Sequence, residues 1–294
     1  MWFYFWFLVN TSILMFISLL VIGALDKLGV FKKISVLSMP IVRLFRLPKE
    51  LAPLIAVAMA SPVGAYVMLA KQSQVNMAAL FLIAPFGFLH DIVRFFIPTA
   101  LSALGPVAMY YIALVMLKFF VYTTLCFVTA KLYLRSNAPL LIETRLERVS
   151  WRAVFRNAIR IWSKVTIRMA AITAIIAVLD SAGVFKVLGV FLNSLFTLSG
   201  AGAVILTAAA VNSLSATYMA GAFLARGEVA VKEALVALFA GQLISTLLVH
   251  FRIQLPHSIG LFGVKNAVIF TIYSLIFSEL ATIAVLMVLL MLFR

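Results

Sequence analysis

The stretch Arg94–Gly105, "RFFIPTALSALG", has a twin at Arg252–Gly263, "RIQLPHSIGLFG", with arginine, proline and glycine in identical register. Arg94 and Arg252, Pro98 and Pro256, and Gly105 and Gly263 each lie 158 residues apart. Two further blocks align at similar separations. Leu25, Asp26, Gly29, Val30 and Phe31 match Leu179, Asp180, Gly183, Val184 and Phe185 at 154. Leu69, Ala70, Ala79 and Leu80 match Leu224, Ala225, Ala234 and Leu235 at 155. Apolar matches alone carry little weight in so apolar a chain, but ordered Asp, Arg, Pro and Gly matches indicate an internal duplication.

The chain that carries the duplication is built for a bilayer. Of its 294 residues 65% are hydrophobic and 11% charged, with a mean hydropathy of +1.17, against about 25% charged in a soluble domain. The 24 Lys and Arg against 9 Asp and Glu give +15. Most of that excess borders apolar runs, as positive-inside orientation requires. No base-stacking or groove-reading motif accompanies it, so the expected partner is the lipid bilayer and not nucleic acid. The opening "MWFYFWFLVNTSILMFISLLVIGAL" lacks a basic lead and a small-residue cleavage site, so a retained first span is expected. The single cysteine, Cys126, lies in an apolar run and reads as packing.

Runs long enough to span, about 20 residues at 1.5 Å each, fall near residues 5–25, 75–97, 105–132, 163–179, 230–251 and 264–293. Two more runs are apolar but interrupted. Residues 50–71 contain Ser61 and Pro62 at the centre, and residues 200–225 contain Asn212, Ser213, Ser215 and Thr217 in the corresponding zone. Each reads as two half-helices around a polar break, or as one kinked helix. A true break at membrane depth is tolerated only where protein or a water-lined cavity satisfies the freed backbone groups.

Charge sets the expected topology. Residues 26–50 carry Lys27, Lys32, Lys33, Arg43, Arg46 and Lys49, whereas residues 180–199 carry only Lys186. The first segment is expected on the cytoplasmic side and the second outside, which inverts one repeat relative to the other. The basic region 131–168 is also expected to be cytoplasmic. An even number of crossings must then separate residue 50 from residue 131, so the broken segment becomes a re-entrant hairpin. The expected fold class is an all-α integral membrane protein of two inverted repeats, each with spans plus a broken re-entrant hairpin. The expected units are a first repeat at 1–133, a basic amphipathic cytoplasmic linker at 134–162 and a second repeat at 163–294. In the linker Arg148, Arg152, Arg156 and Arg160 recur every four residues beside Trp151, Phe155, Ala158 and Trp162, the pattern of an interfacial helix.

With its paired breaks and paired RxxxP motifs the chain resembles the nucleoside-recognition, or Gate, domain family. The residues that carry the resemblance are "SPVGAYVMLA" at Ser61–Ala70, "ATYMAGAFLARGEV" at Ala216–Val229 and the two RxxxP segments. The likeness covers nearly the whole chain as two Gate units, as in small archaeal-type duplicated Gate proteins. It implies the architecture shared by concentrative nucleoside transporters, the membrane domain of ferrous-iron transporters and spore-maturation membrane proteins. A GTP-binding GxxxxGK[ST] loop is missing from the sequence, which argues against iron uptake of that kind. The nucleobase-reading and sodium residues of the nucleoside transporters find no positions here.

Candidate site residues fall into three groups. The hairpin tips offer Ser61, Pro62, Tyr66, Asn212, Ser213, Ser215, Thr217 and Tyr218 as substrate-binding positions, because half-helix starts present N–H groups that favour anions. Arg94 and Arg252 read either as snorkelling side chains or as symmetry-related anion clamps. His90, Asp91 and His250 lie on the same elements, and Asp91 with Arg94 also suits an i,i+3 ion pair. In an inverted repeat the two arginines belong at opposite faces, which favours gate or headgroup positions over one shared pocket. Lys118 and Glu279 fall near mid-span, where they are expected to pair with one another or to serve a proton step. No HExxH, paired acidic metal motif or Ser/His/Asp set is present, so neither an enzyme, a cofactor nor a metal is expected.

Taken together, the sequence points to a multi-pass cell-membrane protein that moves a small polar solute, anionic or nucleoside-like, or a lipid headgroup, by alternating access. The alternative is a non-transporting membrane interaction or assembly protein of the spore-maturation type. Homo-oligomerisation is open to either.

Overall fold

A computed structural model describes residues 49–70, 76–136, 151–181 and 198–292, with isolated helical positions between 9 and 43. Every regular element among the described residues is a helix. In chain order these are α1 (Ala52–Ala60), α2 (Pro62–Ala70), α3 (Met77–Asp91), α4 (Ile97–Ala103), α5 (Ala108–Ser136), α6 (Trp151–Ser181), α7 (Gly200–Val211), α8 (Ser213–Ala225), α9 (Val231–Val249), α10 (Leu255–Phe262) and α11 (Val264–Leu292). Three described helices are long and apolar enough to cross a membrane: Gly105–Leu134, Val231–Phe262 and Val264–Leu292. They answer to three of the six expected spans. Most of the basic segment at 26–48, residues 137–150 of the basic region 131–168, and the segment at 182–197, on which the topology expectation rests, lie outside the described residues.

Both interrupted runs are true breaks. A single extended residue separates each pair of half-helices: Ser61 at φ −155, ψ 101, and Asn212 at φ −155, ψ 108. The half-helices of each pair, α1 with α2 and α7 with α8, then pack on each other. Pro62 is the first residue of α2, where a missing N–H costs nothing and the fixed φ suits a helix start.

The RxxxP motifs depart from expectation. The spans predicted at 75–97 and 230–251 do not end there. Instead α3 passes into α4 through a five-residue π-turn, Ile92–Phe96, and α9 passes into α10 through another, His250–Gln254. The cause is local. A proline has no N–H for the carbonyl four residues back, and its ring crowds that carbonyl. In both motifs that carbonyl belongs to the arginine, which is the third residue of each turn. The wider turn just before each proline, marked by the Ile97 N–H bonding the Ile92 carbonyl, relieves the crowding without ending the helix. Gly105 and Gly263 follow at φ +53 and +77, a left-handed geometry that explains glycine at this matched position.

The chain divides into two compact units. The first comprises Met1–Gly87, Cys126–Ala177 and Gln254–Thr271. In it α10 packs on α2, and an aromatic cluster forms where Tyr66 meets Phe262 and Phe270 at 6.0 and 5.9 Å and Phe81 meets Phe270 and Tyr133 at 5.7 and 5.9 Å. Such ring pairs contribute about 0.5–1.5 kcal/mol each beyond area burial. Also in this unit, α6 carries Arg152, Arg156, Arg160 and Lys164 exposed along one side. Trp162 donates to the Ser12 carbonyl at 3.0 Å, and its ring lies 5.4 Å from that of Phe16. The described part of the linker therefore runs without a break into the following apolar segment, as one helix and not as a separate surface piece.

The second unit comprises Phe88–Leu125, Val178–Ile253 and Ile272–Arg294. Here α4 packs on α8, and α9 packs on both α7 and α8. Small residues permit the close approach, the usual basis of helix association where lipid removes the hydrophobic drive. A Cβ on Gly221 would clash with the Ala103 carbonyl, and one on Gly241 would meet Ala209 Cβ and the Leu206 carbonyl at 2.5 Å. The pairing is the same in both units: the short helix after a π-turn lies on the second half-helix of a broken pair.

Replacing Gly221 with valine should lower stability by at least about 1–3 kcal/mol, the usual cost of overpacking. Gly200→Ala, whose added methyl meets nothing within 4 Å, should be close to neutral. Thermal unfolding of the purified variants by fluorescence size exclusion measures both.

Candidate functional site: a buried polar network in the second unit

Polar side chains inside an apolar helix bundle are costly unless bonded. The second unit bonds them in two directed chains. The first begins at Lys118, whose charge lies at mid-helix in α5 with 5% of the residue exposed. Lys118 Nζ donates to Gln242 Oε1 on α9 at 3.1 Å, and Gln242 Nε2 donates to Tyr111 Oη at 3.4 Å. An ammonium donates only, so the contact fixes the orientation of the Gln242 amide. Tyr111 in turn bonds Thr217 on α8. Because the Thr217 hydroxyl donates to the Ser213 carbonyl at 2.8 Å, it accepts from the phenol. A continuous donor-to-acceptor path thus joins the lysine to the break between α7 and α8.

The break itself is capped. Asn212 Oδ1 accepts from the backbone N–H groups of Leu214 and Ser215 at 2.9 and 3.1 Å. Ser213 Oγ lies 3.4 Å from Ser245 Oγ, and Ser245 reaches the Gln242 carbonyl at 3.5 Å. In the first unit the equivalent break is capped more simply, by Gly64 N–H donating to Ser61 Oγ at 3.1 Å. Both caps follow the preference of Ser and Asn for helix starts.

The second chain runs through His250, the first residue of the α9–α10 π-turn. Its Nδ1 faces the Thr246 carbonyl at 2.8 Å, and a carbonyl only accepts, so Nδ1 carries the hydrogen. In the neutral ring Nε2 then accepts from Ser274 on α11 at 3.2 Å, and Ser274 accepts from Tyr122 on α5 at 2.9 Å. Tyr122 sits one turn beyond Lys118. Phe88 covers this region, with its ring centroid 5.7 Å from Lys118 Nζ and 5.7 Å from the Tyr122 ring. Glu279, one and a half turns along α11 from Ser274, interacts electrostatically with Lys118 but forms no contact ion pair with it, and its Oε1 is buried without a hydrogen-bond partner.

Several of the sequence candidates converge here: Asn212, Ser213, Thr217, Lys118, His250 and Glu279. Ser215 and Tyr218 are exposed, and Tyr218 Oη lies 3.3 Å from Ser102 Oγ. Ser61, Pro62 and Tyr66 belong to the first unit, where the Tyr66 ring joins the aromatic cluster. Its role there is packing. His90 and Asp91 form a loose contact of 3.9 Å between half-exposed side chains. Arg252 is partly buried in its π-turn, and the side chain of Arg94 lies outside the described residues.

Sequence reading missed Tyr111, Tyr122, Gln242, Ser245 and Ser274. A signal existed for some of them. Tyr111, Leu114, Val115, Lys118, Tyr122, Cys126 and Ala130 recur at helical spacing and are all buried, so the face carrying Lys118 is the inward face of α5. Gln242 and Ser245 sit in an apolar helix that is buried nearly all round, where periodicity singles out no face.

No protein-family model matches the chain, and neither a curated protein nor a solved structure matches it.

Gln242→Leu strands the Lys118 ammonium and the Tyr111 phenol and should destabilise by about 1–3 kcal/mol or more. Asn212→Ala should cost about 0.5–2 kcal/mol through loss of the cap, with Asn212→Asp retaining most of it. Chemical denaturation in detergent reads all three.

Proposed function

We propose that the protein is a membrane transporter that moves a small polar solute or lipid headgroup by alternating access. The observation that supports this most strongly is the directed hydrogen-bond path from the helix break at Asn212–Thr217 to Lys118 in the middle of an apolar helix. Intramembrane ionisable groups are rare and mark solute or proton pathways. Broken helices at membrane depth are the usual scaffold of secondary-transporter sites. Both features meet in one unit here.

In this reading the two repeats are inverted, each broken pair is a re-entrant hairpin, and the resemblance to Gate domains extends to mechanism. Solute binds beside the α7–α8 break, against Asn212, Ser213, Thr217 and the Lys118–Gln242 pair. The π-turns supply the moving parts. A turn with one residue too many has two near-equal ways of bonding its carbonyls, and each links a helix of one unit to a short helix of the other along the chain. Arg94 and Arg252, at the third position of these turns, are gate or headgroup residues. A non-transporting assembly role is the competing reading.

Purified protein in proteoliposomes should accumulate at least one member of a panel of carboxylates, phosphorylated metabolites, nucleosides and headgroup alcohols. Lys118→Met should slow that uptake at least tenfold. If no solute moves, and break and charge variants keep the native phenotype while exposed-surface variants lose it, the assembly role replaces transport. Accessibility tags at residues 40, 145 and 190 test the topology. Residues 40 and 145 should report the cytoplasmic side and residue 190 the outside, and agreement between 40 and 190 removes the inverted repeat.

A further inference from the structure

Tyr122 on α5 bonds Ser274 on α11 at 2.9 Å, with Lys118 one turn from the first and Glu279 five residues from the second, yet among the described residues Lys118 and Glu279 form no contact ion pair. Lys118 Nζ carries three N–H groups. One is bonded by Gln242, and one side of the ammonium faces the ring of Phe88. Glu279 Oε1, buried from solvent, accepts from no group among the described residues. Both groups sit in helices apolar enough to span a membrane, where any net charge is expensive.

Two arrangements leave this site neutral. In one, Lys118 is protonated and Glu279 ionised, each compensating the other at a distance. In the other, Glu279 holds a proton and an anion lies against the remaining N–H groups of Lys118. The lone Oε1 is poorly solvated as a carboxylate oxygen and loses least when the group is neutral. An ammonium with spare donors gains most from an anion.

We propose that Lys118 and Glu279 form a binding site for one small monovalent anion together with one proton, the anion on the ammonium and the proton on the carboxylate. The proposal rests on the transport reading above and deepens it, naming the substrate class and the coupling ion. The charge balance is complete: the anion brings one negative charge, the proton from water cancels the carboxylate's, and the ammonium is unchanged. Loading is electroneutral. Among the described residues, the other titratable groups facing the pair are Tyr111 and Tyr122 on α5 and His250, the first residue of the α9–α10 π-turn. The two phenols and the imidazole are hydrogen-bonded, and His250 has both ring nitrogens engaged. Those bonds leave Glu279 as the group free to change charge. Monovalency follows from the single cation, since a dianion would leave the site negative.

Binding of acetate and of chloride to the full-length protein in detergent, measured calorimetrically across pH, tests the site. Wild type should bind at least one of the two, with affinity falling about tenfold per pH unit wherever Glu279 is ionised in the empty site. A pH electrode in weak buffer should register one proton taken up per anion bound. Glu279→Gln should bind with a flat pH profile and no proton uptake, and Lys118→Met should bind at least tenfold more weakly. Should Lys118→Met fail to fold, Lys118→Met with Glu279→Leu replaces both charges by apolar groups, a change that buried pairs tolerate well, and it too must lose the anion. No anion binding by wild type, undiminished binding without Lys118, or a pH slope surviving in Glu279→Gln each overturns the proposal. Uptake of a neutral solute without anion binding overturns it while transport stands. Proton-linked anion binding without any uptake upholds the site and removes transport.

Discussion

A polar group held away from water has to find its partner within the protein, and this constraint shapes the chain at every scale. At the backbone level it accounts for the caps on both breaks. A single extended residue frees carbonyls and N–H groups on each side, and Asn212 and Ser61 turn their own side chains back to bond the N–H groups of the following half-helix. It also accounts for the π-turns. Proline deletes a donor, and widening the helix by one residue costs less than ending it inside an apolar environment. At the side-chain level it accounts for the direction of the Lys118–Gln242–Tyr111–Thr217 path, in which each group donates onward until a backbone carbonyl closes the chain.

The glycines answer to a related demand. Where the bilayer removes the hydrophobic reward for association, contact area and backbone approach carry the stability. Gly221 and Gly241 bring α4 and α7 within backbone contact of their neighbours in the second unit. At the separation of 155 residues that aligns Leu69 with Leu224, the residue matching Gly221 is Tyr66. There the same helix pairing is filled by a ring that reaches Phe262. One crossing is closed by bare backbone and the other by an aromatic wedge.

The breaks, one of two readings open for each interrupted run, were legible in the sequence because each depends on a residue with an unusual backbone requirement. Pro, Gly, Asn and Ser announce such places locally. Continuity through the RxxxP motifs was not legible. A proline near a hydrophobic boundary reads as a stop, whereas a π-turn just before each proline relieves the crowding and lets the helix continue. At the site, Lys118 and Glu279 stood out because a charge in an apolar run is conspicuous. Their neighbours did not. Gln242 and Tyr111 are ordinary residues until a fold brings them 3.4 Å apart across 131 positions of chain.

The two halves of the sequence each carry a helix break and a π-turn but differ in the chemistry around them, and that difference bears on where function resides. At a separation of 158 residues, Lys118, Tyr111 and His250 correspond to Ile276, Ile269 and Ile92, and Gln242 corresponds to Ala84. These four members of the hydrogen-bonded set therefore align with apolar residues, while the first unit holds an aromatic cluster. A chain under selection for stability alone has no reason to keep a lysine, a glutamine and two phenols in the interior of one unit, since apolar residues of similar volume fill such a space as well or better. The presence of the polar set indicates a task that stability alone does not require.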